Sequence, residues 1–337
     1  MANHYRYAAD RSTERLAGRV ALTAVMFTLL VLSVCLGPTT AIAVGRTTEA
    51  VGNFSGWSKP VDLGGGPLQE VSCVRMTCVA ADVHSGGGVF WYQNGRWGNR
   101  SAVTGISRPT GVSCAAVDFC ILIDAQGRAS SYDGDTWSKG MSVETTATIL
   151  AIDCATPKWC VAGDSKGRIV LYDGSHWGGP MRSSLPEIAH LSCSSKHFCL
   201  ALTSGDGAAT YNGSTWSKPR QIDSKPVSAG SCASAVFCSV VDVAARFVNY
   251  DGASWSNRKK VEHRGSGLTD VSCASSDFCV TIDATGHALM WNGIDWEHRT
   301  HIDSDPGGNA HVSCASLSLC VAVNTSGDAV TYRGNYR

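Results

Sequence analysis

Three residues before the first cysteine of each of seven close cysteine pairs, the chain reads Glu70, Gly111, Ala151, His190, Ala229, Asp270 and His311. Gly and Ala at this position have no side-chain chemistry. Glu70, Asp270, His190 and His311 are two carboxylates and two imidazoles, the groups that hold cations, move protons and bind polar ligands. Glu70, Asp270 and His311 belong to the first, sixth and seventh units. In a closed ring of units these three are neighbours, and they are expected to converge at one mouth of a central channel and hold a cation or a polar ligand. The plainer alternative is a solvated junction between a loop and a strand.

A second candidate is the basic run Arg258-Lys-Lys-Val-Glu-His-Arg264, followed one unit later by Glu297-His-Arg-Thr-His301. Arg258, Lys259, Lys260, His263 and Arg264 are taken as an anion-binding loop for an acidic envelope polymer, with a charged solvated loop as the alternative. No catalytic residue is assigned. The chain has no G-x-S-x-G, H-E-x-x-H or phosphate loop, and no pair of carboxylates is placed by its spacing as glycoside hydrolysis requires. No cofactor and no metal site are assigned.

The elements that carry these residues follow from the cysteines. The chain has 15, and 14 of them fall at 73/78, 114/120, 154/160, 193/199, 232/238, 273/279 and 314/320. The repeat is therefore 39–41 residues. Six pairs are C-x5-C, with no regular second Cys or His pair to complete a zinc site. An even set at regular spacing reads as disulfides formed in an oxidising compartment. Cys73–Cys78, Cys114–Cys120, Cys154–Cys160, Cys193–Cys199, Cys232–Cys238, Cys273–Cys279 and Cys314–Cys320 are each expected to bracket the turn of a hairpin.

Each unit holds four strand-like runs. The first ends at Val-Ser-Cys, and the second starts at the second Cys, as in Phe119-Cys-Ile-Leu-Ile-Asp124. A D-x-x-G turn follows (Asp124 to Gly127, Asp164 to Gly167, Asp283 to Gly286). The third run ends at an aromatic, then Asp-Gly or Asn-Gly, then Trp, a strong hairpin signal (Tyr132-Asp-Gly-Asp-Thr-Trp137). The fourth run is expected to start at that Trp. The Asp residues of the D-x-x-G turns are expected to cap them. Phe119, Trp159, Phe198, Phe237 and Phe278 are expected on the face opposite the sulfurs, filling against small residues of the next unit.

Four antiparallel strands per repeat of about 40 residues is the signature of a β-propeller blade. The fold class is all-β, a seven-bladed β-propeller. The seventh unit stops just before its Trp, while Trp57-Ser-Lys-Pro60 repeats Trp216-Ser-Lys-Pro219. An N-terminal strand near 57–63 is therefore expected to complete the last blade.

In the motif S-C-x5-C…D-x-x-G…Y-[DN]-G-x-x-W, residues 54–337 resemble Cys-paired propeller repeats of exported or membrane-tethered actinobacterial proteins, most of them uncharacterised. The motif is also similar to the Asp-box of sialidase-like propellers. It departs from S-x-D-x-G-x-x-W because Asp or Asn directly precedes Gly, so sialidase activity is not implied.

Residues 1–43 have the layout of a secretory signal. A basic segment with four Arg precedes an apolar run from Val20, and Ala41-Ile42-Ala43 supplies an A-x-A site. Retention as a membrane anchor through residues 20–44 and lipidation at Cys35 are the alternatives, although Val34 stands where a lipoprotein signal has a small residue. Residues 44–53 are a linker. All three outcomes place the ring outside the cytoplasm, secreted or tethered. Lys+Arg and Asp+Glu balance at 28 each, so nucleic acid is not an expected partner. The chain is expected to be a monomeric, non-enzymatic binding or sensing module for an envelope glycan, cell-wall polymer or protein. A hydrolase or lyase with its site at the channel mouth, or a protein-interaction scaffold, is the alternative.

Overall fold

Two kinds of turn set each blade. At the D-x-x-G turn the Asp folds back on the chain: Asp124 Oδ1 accepts from the backbone N–H of Gln126 and Arg128, and Oδ2 accepts from Arg128 Nε at 2.7 Å and from the N–H of Ser107. Gly127 then takes φ +74°, a conformation open to glycine. Asp164 and Asp242 accept in the same way from two N–H groups at Oδ1 and from Arg168 and Arg246 Nε at Oδ2, with Ala245 in place of the Gly in blade five at φ +58°. These Asp residues are fully buried turn caps, as expected. At the second turn, Asp133 Oδ1 accepts from the N–H of Asp135 and Thr136, and Gly134 takes φ +100°.

The computed structural model describes residues 56–334, apart from residues 85, 145, 205–206, 262–266 and 306–308. These residues form seven antiparallel blades of four strands, with the outer strand split in two in blades one and seven, and no helix. In blade one the strands run Leu68–Val74, Thr77–Asp82, Gly88–Gln93 and Arg96–Trp97, with Ser101–Ala102 continuing the outer edge. Blade seven is Asn309–Ser316, Leu319–Asn324 and Asp328–Arg333, completed by Gly56–Trp57 and Val61–Asp62 from the N-terminal end of the ring. Trp57 faces Tyr332 there, so the expected closure holds. The expectations for the segment 1–43, the linker 44–53 and Cys35 lie outside the described residues, among which no helix is long and apolar enough to cross a membrane.

All seven cysteine pairs are disulfides between directly facing residues, with Cα atoms 3.9–4.1 Å apart. Seven disulfides favour an extracytoplasmic location. The aromatic at the start of the second strand packs on the disulfide of the next blade. Phe119 lies against Cys154, Cys160 and Tyr172, and Phe198 against Cys232, Cys238 and Tyr250. The two rings of these junctions stack at 6.0 and 5.9 Å. Large side chains on one blade face thus fill against small ones on the next. The turn Trp also pairs across its own hairpin in blades one to six, for example Tyr250 with Trp255 at 5.2 Å, and Trp57 meets Tyr332 across the closing strand pair of blade seven.

The outer strand departs from expectation. Trp137, Trp177, Trp216 and Trp255 each make one isolated bridge, and the ladder resumes only at Met141–Ser142, Met181–Arg182, Arg220–Gln221 and Lys259–Lys260. The interval holds Gly or Pro in blades two, three and four, residues that weaken a strand or remove a ladder donor. Blade six, whose Trp296–His301 lacks both, has the only continuous six-residue outer strand among the described residues.

The blades are also joined at their inner edge. The residue before the first Cys accepts a hydrogen bond from the N–H of the first Cys of the next blade. Ser72, Ser113, Ser192, Ser231, Ser272 and Ser313 do so at 2.9 Å, and Asp153 does so at the junction with Cys193. Ser313 bonds Cys73, so the circuit closes.

Candidate functional site

The first strand of every blade lines the central channel, and a shared irregularity aims its side chains. In all seven blades the pairing slips by one residue between the fifth and the third residue before the first Cys: Leu68/Glu70, Ile188/His190, Leu268/Asp270 and Asn309/His311 among them. Such a bulge turns a side chain away from the regular alternation. The residue after the slip, which is the column Glu70, Gly111, Ala151, His190, Ala229, Asp270, His311, lines a cavity of about 340 Å³ along the channel, except Ala229, whose blade contributes Gly230 and Ser231.

Glu70, Asp270 and His311 meet in this cavity. His311 Nδ1 lies 3.5 Å from Glu70 Oε2 and 3.6 Å from Asp270 Oδ2, and one ligating atom from each of the three residues lies within 4.8 Å of the others. The backbone holds the carboxylates in place. Asp270 Oδ1 accepts from the N–H of Val271 and Oδ2 from that of Val312, both at 2.8 Å. Glu70 Oε1 accepts from the N–H of Val71 at 3.3 Å, which leaves Oε2 turned toward His311. His311 Nδ1 is shut off from solvent and has no hydrogen-bond partner.

The electrostatics follow from burial and proximity. Burial pushes the Glu70 carboxyl up, His311 pulls it down and Asp270 pushes it up again, so that it titrates at about 7. Burial disfavours the His311 imidazolium, but the Glu70 and Asp270 carboxylates outweigh this and raise it to about 9. His190 reaches the same cavity from blade four, outside the triad. Burial lowers its pKa; Asp270 pulls it up and His311 adds to the lowering. The wall therefore carries one neutral imidazole and one charged imidazole set between carboxylates, which can hold a cation, accept hydrogen bonds from a ligand or exchange a proton.

The second candidate is not brought to this cavity. Lys259–Lys260 is the outer strand of blade five, three strands from the channel, and is not a loop as expected. Arg258 lies 3.7 Å from the buried Asp223, which also receives Arg246. Part of its charge is therefore used within the fold. His263 and Arg264 lie outside the described residues. In blade six, Arg299 turns back to Asp283, so its segment likewise serves a turn.

One channel residue was missed from sequence. Asp153 lines the cavity and accepts from the N–H of Cys193 and Cys154 and from Ser113 Oγ. Its signal was present: the V-S-C of the repeat reads Ile152-Asp153-Cys154 in blade three, the one break in a column of serines.

The sequence matches no protein-family model and no curated protein. Among solved structures, the chain is similar to YCF48 bound to D1 peptide (TM-score 0.67, 14% identity), covering 84% of this chain and 98% of that one. It is similar to YCF48 from Cyanidioschyzon merolae (TM-score 0.65, 16% identity), covering 83% and 99%. It is also similar to virginiamycin B lyase from Staphylococcus aureus (TM-score 0.68, 7% identity), covering 82% and 98%. At these identities the likeness is one of fold.

Proposed function

We propose that this chain is an extracytoplasmic, non-enzymatic binding module that takes a polar segment of an envelope protein or glycan into the channel mouth at Glu70, Asp270 and His311, with His190 on the facing wall. The observation that carries this is the convergence of three ionisable side chains in a cavity where three of the other four blades have Gly or Ala in the same column and the fourth has His190. A ring of near-identical blades needs no such residues for packing. The structure of YCF48 bound to D1 peptide supports a protein ligand, since a protein similar in fold to this chain binds a peptide. In this proposal residues 1–43 export the chain or anchor it through residues 20–44, residues 44–53 are the linker, and the ring acts as a monomer. The resemblance to Cys-paired repeats of exported actinobacterial proteins agrees with it. Lys259 and Lys260, exposed on the outer strand of blade five, are a separate place for an anionic envelope polymer.

The test is capture. The immobilised full chain is exposed to envelope proteins, cell-wall fragments and a glycan array. Retention that disappears in the Glu70→Gln/Asp270→Asn variant supports the proposal, and a chain that retains nothing refutes it.

A hydrolase or lyase is the second possibility, favoured by the single fact that burial and Asp270 bring Glu70 to about 7, where a carboxylate works as a general base near neutral pH. Turnover of an envelope glycan or peptide that survives both Glu70→Ala and Asp270→Ala would exclude a site at these residues.

A further inference from the structure

We infer that Glu70, Asp270 and His311 form a binding site for a divalent transition-metal ion, with Zn²⁺ the ion of best fit. The inference deepens the proposal for the channel mouth, because it names what the three residues hold.

The distances carry it. A protonated imidazole held by a carboxylate closes to about 2.8 Å. Here Nδ1 stands 3.5 and 3.6 Å from two carboxylate oxygens and makes no hydrogen bond to either, although it is buried and aimed between them. Donor atoms about 2.1 Å from a tetrahedral ion are separated by about 3.4 Å, so the observed spacing is close to two edges of a coordination tetrahedron. The third edge, between the two carboxylates, is within 4.8 Å. Glu70 is held through Oε1 alone, so a small turn of its carboxylate brings Oε2 to the ion.

The donors select the metal. One imidazole nitrogen and two carboxylate oxygens suit a borderline transition ion, whereas Ca²⁺ takes six to eight oxygens and Mg²⁺ takes oxygens in a strict octahedron. Binding displaces the His311 proton to solvent, and the two carboxylates neutralise the divalent ion, so the bound centre carries no net charge in a largely buried site. The N–H groups of Val271 and Val312 orient Asp270, as outer-shell donors orient metal-ligating carboxylates. Three protein ligands leave a fourth position toward the channel cavity, where water or an oxygen atom of the ligand binds.

The test is calorimetric titration of the untagged full chain, cysteine pairs oxidised, with ZnCl2, together with metal content after dialysis. One zinc per chain is expected. Glu70→Gln, Asp270→Asn and His311→Ala each weaken binding by about tenfold or more, while Cys35→Ser and the exposed His176→Ala leave it unchanged. Should a triad variant fail to fold, the wild-type chain loaded with Co²⁺ supplies a second measure: a tetrahedral spectrum with nitrogen and oxygen ligands and no thiolate band. No stoichiometric zinc, equal affinity in the triad variants, or a thiolate band overturns the inference. The titration uses no envelope ligand, so its failure leaves the binding proposal standing, and failed capture leaves the titration unaffected.

Discussion

Asp153 shows how one residue can serve the ring and strain it. Six junctions between blades use a serine hydroxyl as acceptor, and Asp153 puts a carboxylate in the same place. Burial raises its pKa, and the donors Cys193 N–H, Ser113 Oγ and Cys154 N–H offset this only in part. A carboxyl whose folded pKa is raised binds its proton more tightly in the fold. Its stabilising contribution is therefore fully present below the unfolded value of 3.8 and is lost as pH rises through the folded value. Asp153→Ser restores the hydroxyl and is expected to melt a few degrees higher than wild type at pH 7, with the gap narrowing toward pH 4; a lower melting temperature at pH 7 would show that the carboxylate is needed at this junction. Ser231→Ala removes the acceptor for the N–H of Cys273 and is expected to cost about 1 kcal/mol in denaturant unfolding. At this scale the sequence was half legible. The column three residues before each cysteine was visible because Glu70, Asp270 and His311 break it. The serine column was hidden in plain view, because Ser-Cys reads as hairpin composition and hydrogen bonding across some 40 residues leaves no local pattern.

A blade depends on turns more than on strands, and here the sequence was most legible. Asp side chains that cap and glycines that accept positive φ are local properties, so D-x-x-G and Asp-Gly placed the hairpins correctly. The limits are physical. Gly127 has φ +74°, and a Cβ there would lie 2.0 Å from the Glu144 carbonyl oxygen. Gly127→Ala is expected to cost well over about 1 kcal/mol, whereas Gly179→Ala, with ordinary φ and nothing within 4 Å, is expected to be neutral or slightly stabilising. Equal denaturation midpoints for the two variants would contradict this. The disulfide hairpin is the other local device. Replacing Cys232 and Cys238 by Ala opens a loop of about seven residues and is expected to cost about 2 kcal/mol by loop-closure entropy. Hydrogen exchange is expected to rise first in blade five. The broken outer strand was not anticipated. Trp at the hairpin signalled a strand, but Lys-Gly-Met and Gly-Gly-Pro after it interrupt the ladder, and period-2 patterning says little about a strand two residues long.

Closure is a property of the whole molecule, yet it was legible from one offset. The Trp series begins one strand before the Cys series and ends one strand short, which a linear stack of repeats has no reason to do. In the structure, Gly56–Trp57 and Val61–Asp62 cover the edge of Asp328–Arg333, and Ser58 exchanges bonds with Thr331 by donating its N–H and accepting at Oγ. The Trp57 and Tyr332 rings pair at 5.4 Å. The closing segment therefore joins the first and last described strands of the ring within blade seven, while the inner bond from Cys73 to Ser313 and the packing of Leu319 near Cys78 link blade seven to blade one. Removing residues up to 62 leaves the inner links intact but strips the outer edge of blade seven. That edge then presents unpaired N–H and C=O groups, a template for pairing with another chain. The truncated ring is expected to remain folded at low concentration, to lose several kcal/mol from hydrogen bonds of about 1 kcal/mol each and the burial of Trp57, and to associate as concentration rises. Light scattering after size exclusion measures this. Trp57→Ala, which keeps the backbone pairing, is expected to lose stability without associating. A truncated chain that stays monomeric and melts with the intact one would mean that the inner circuit alone closes the ring.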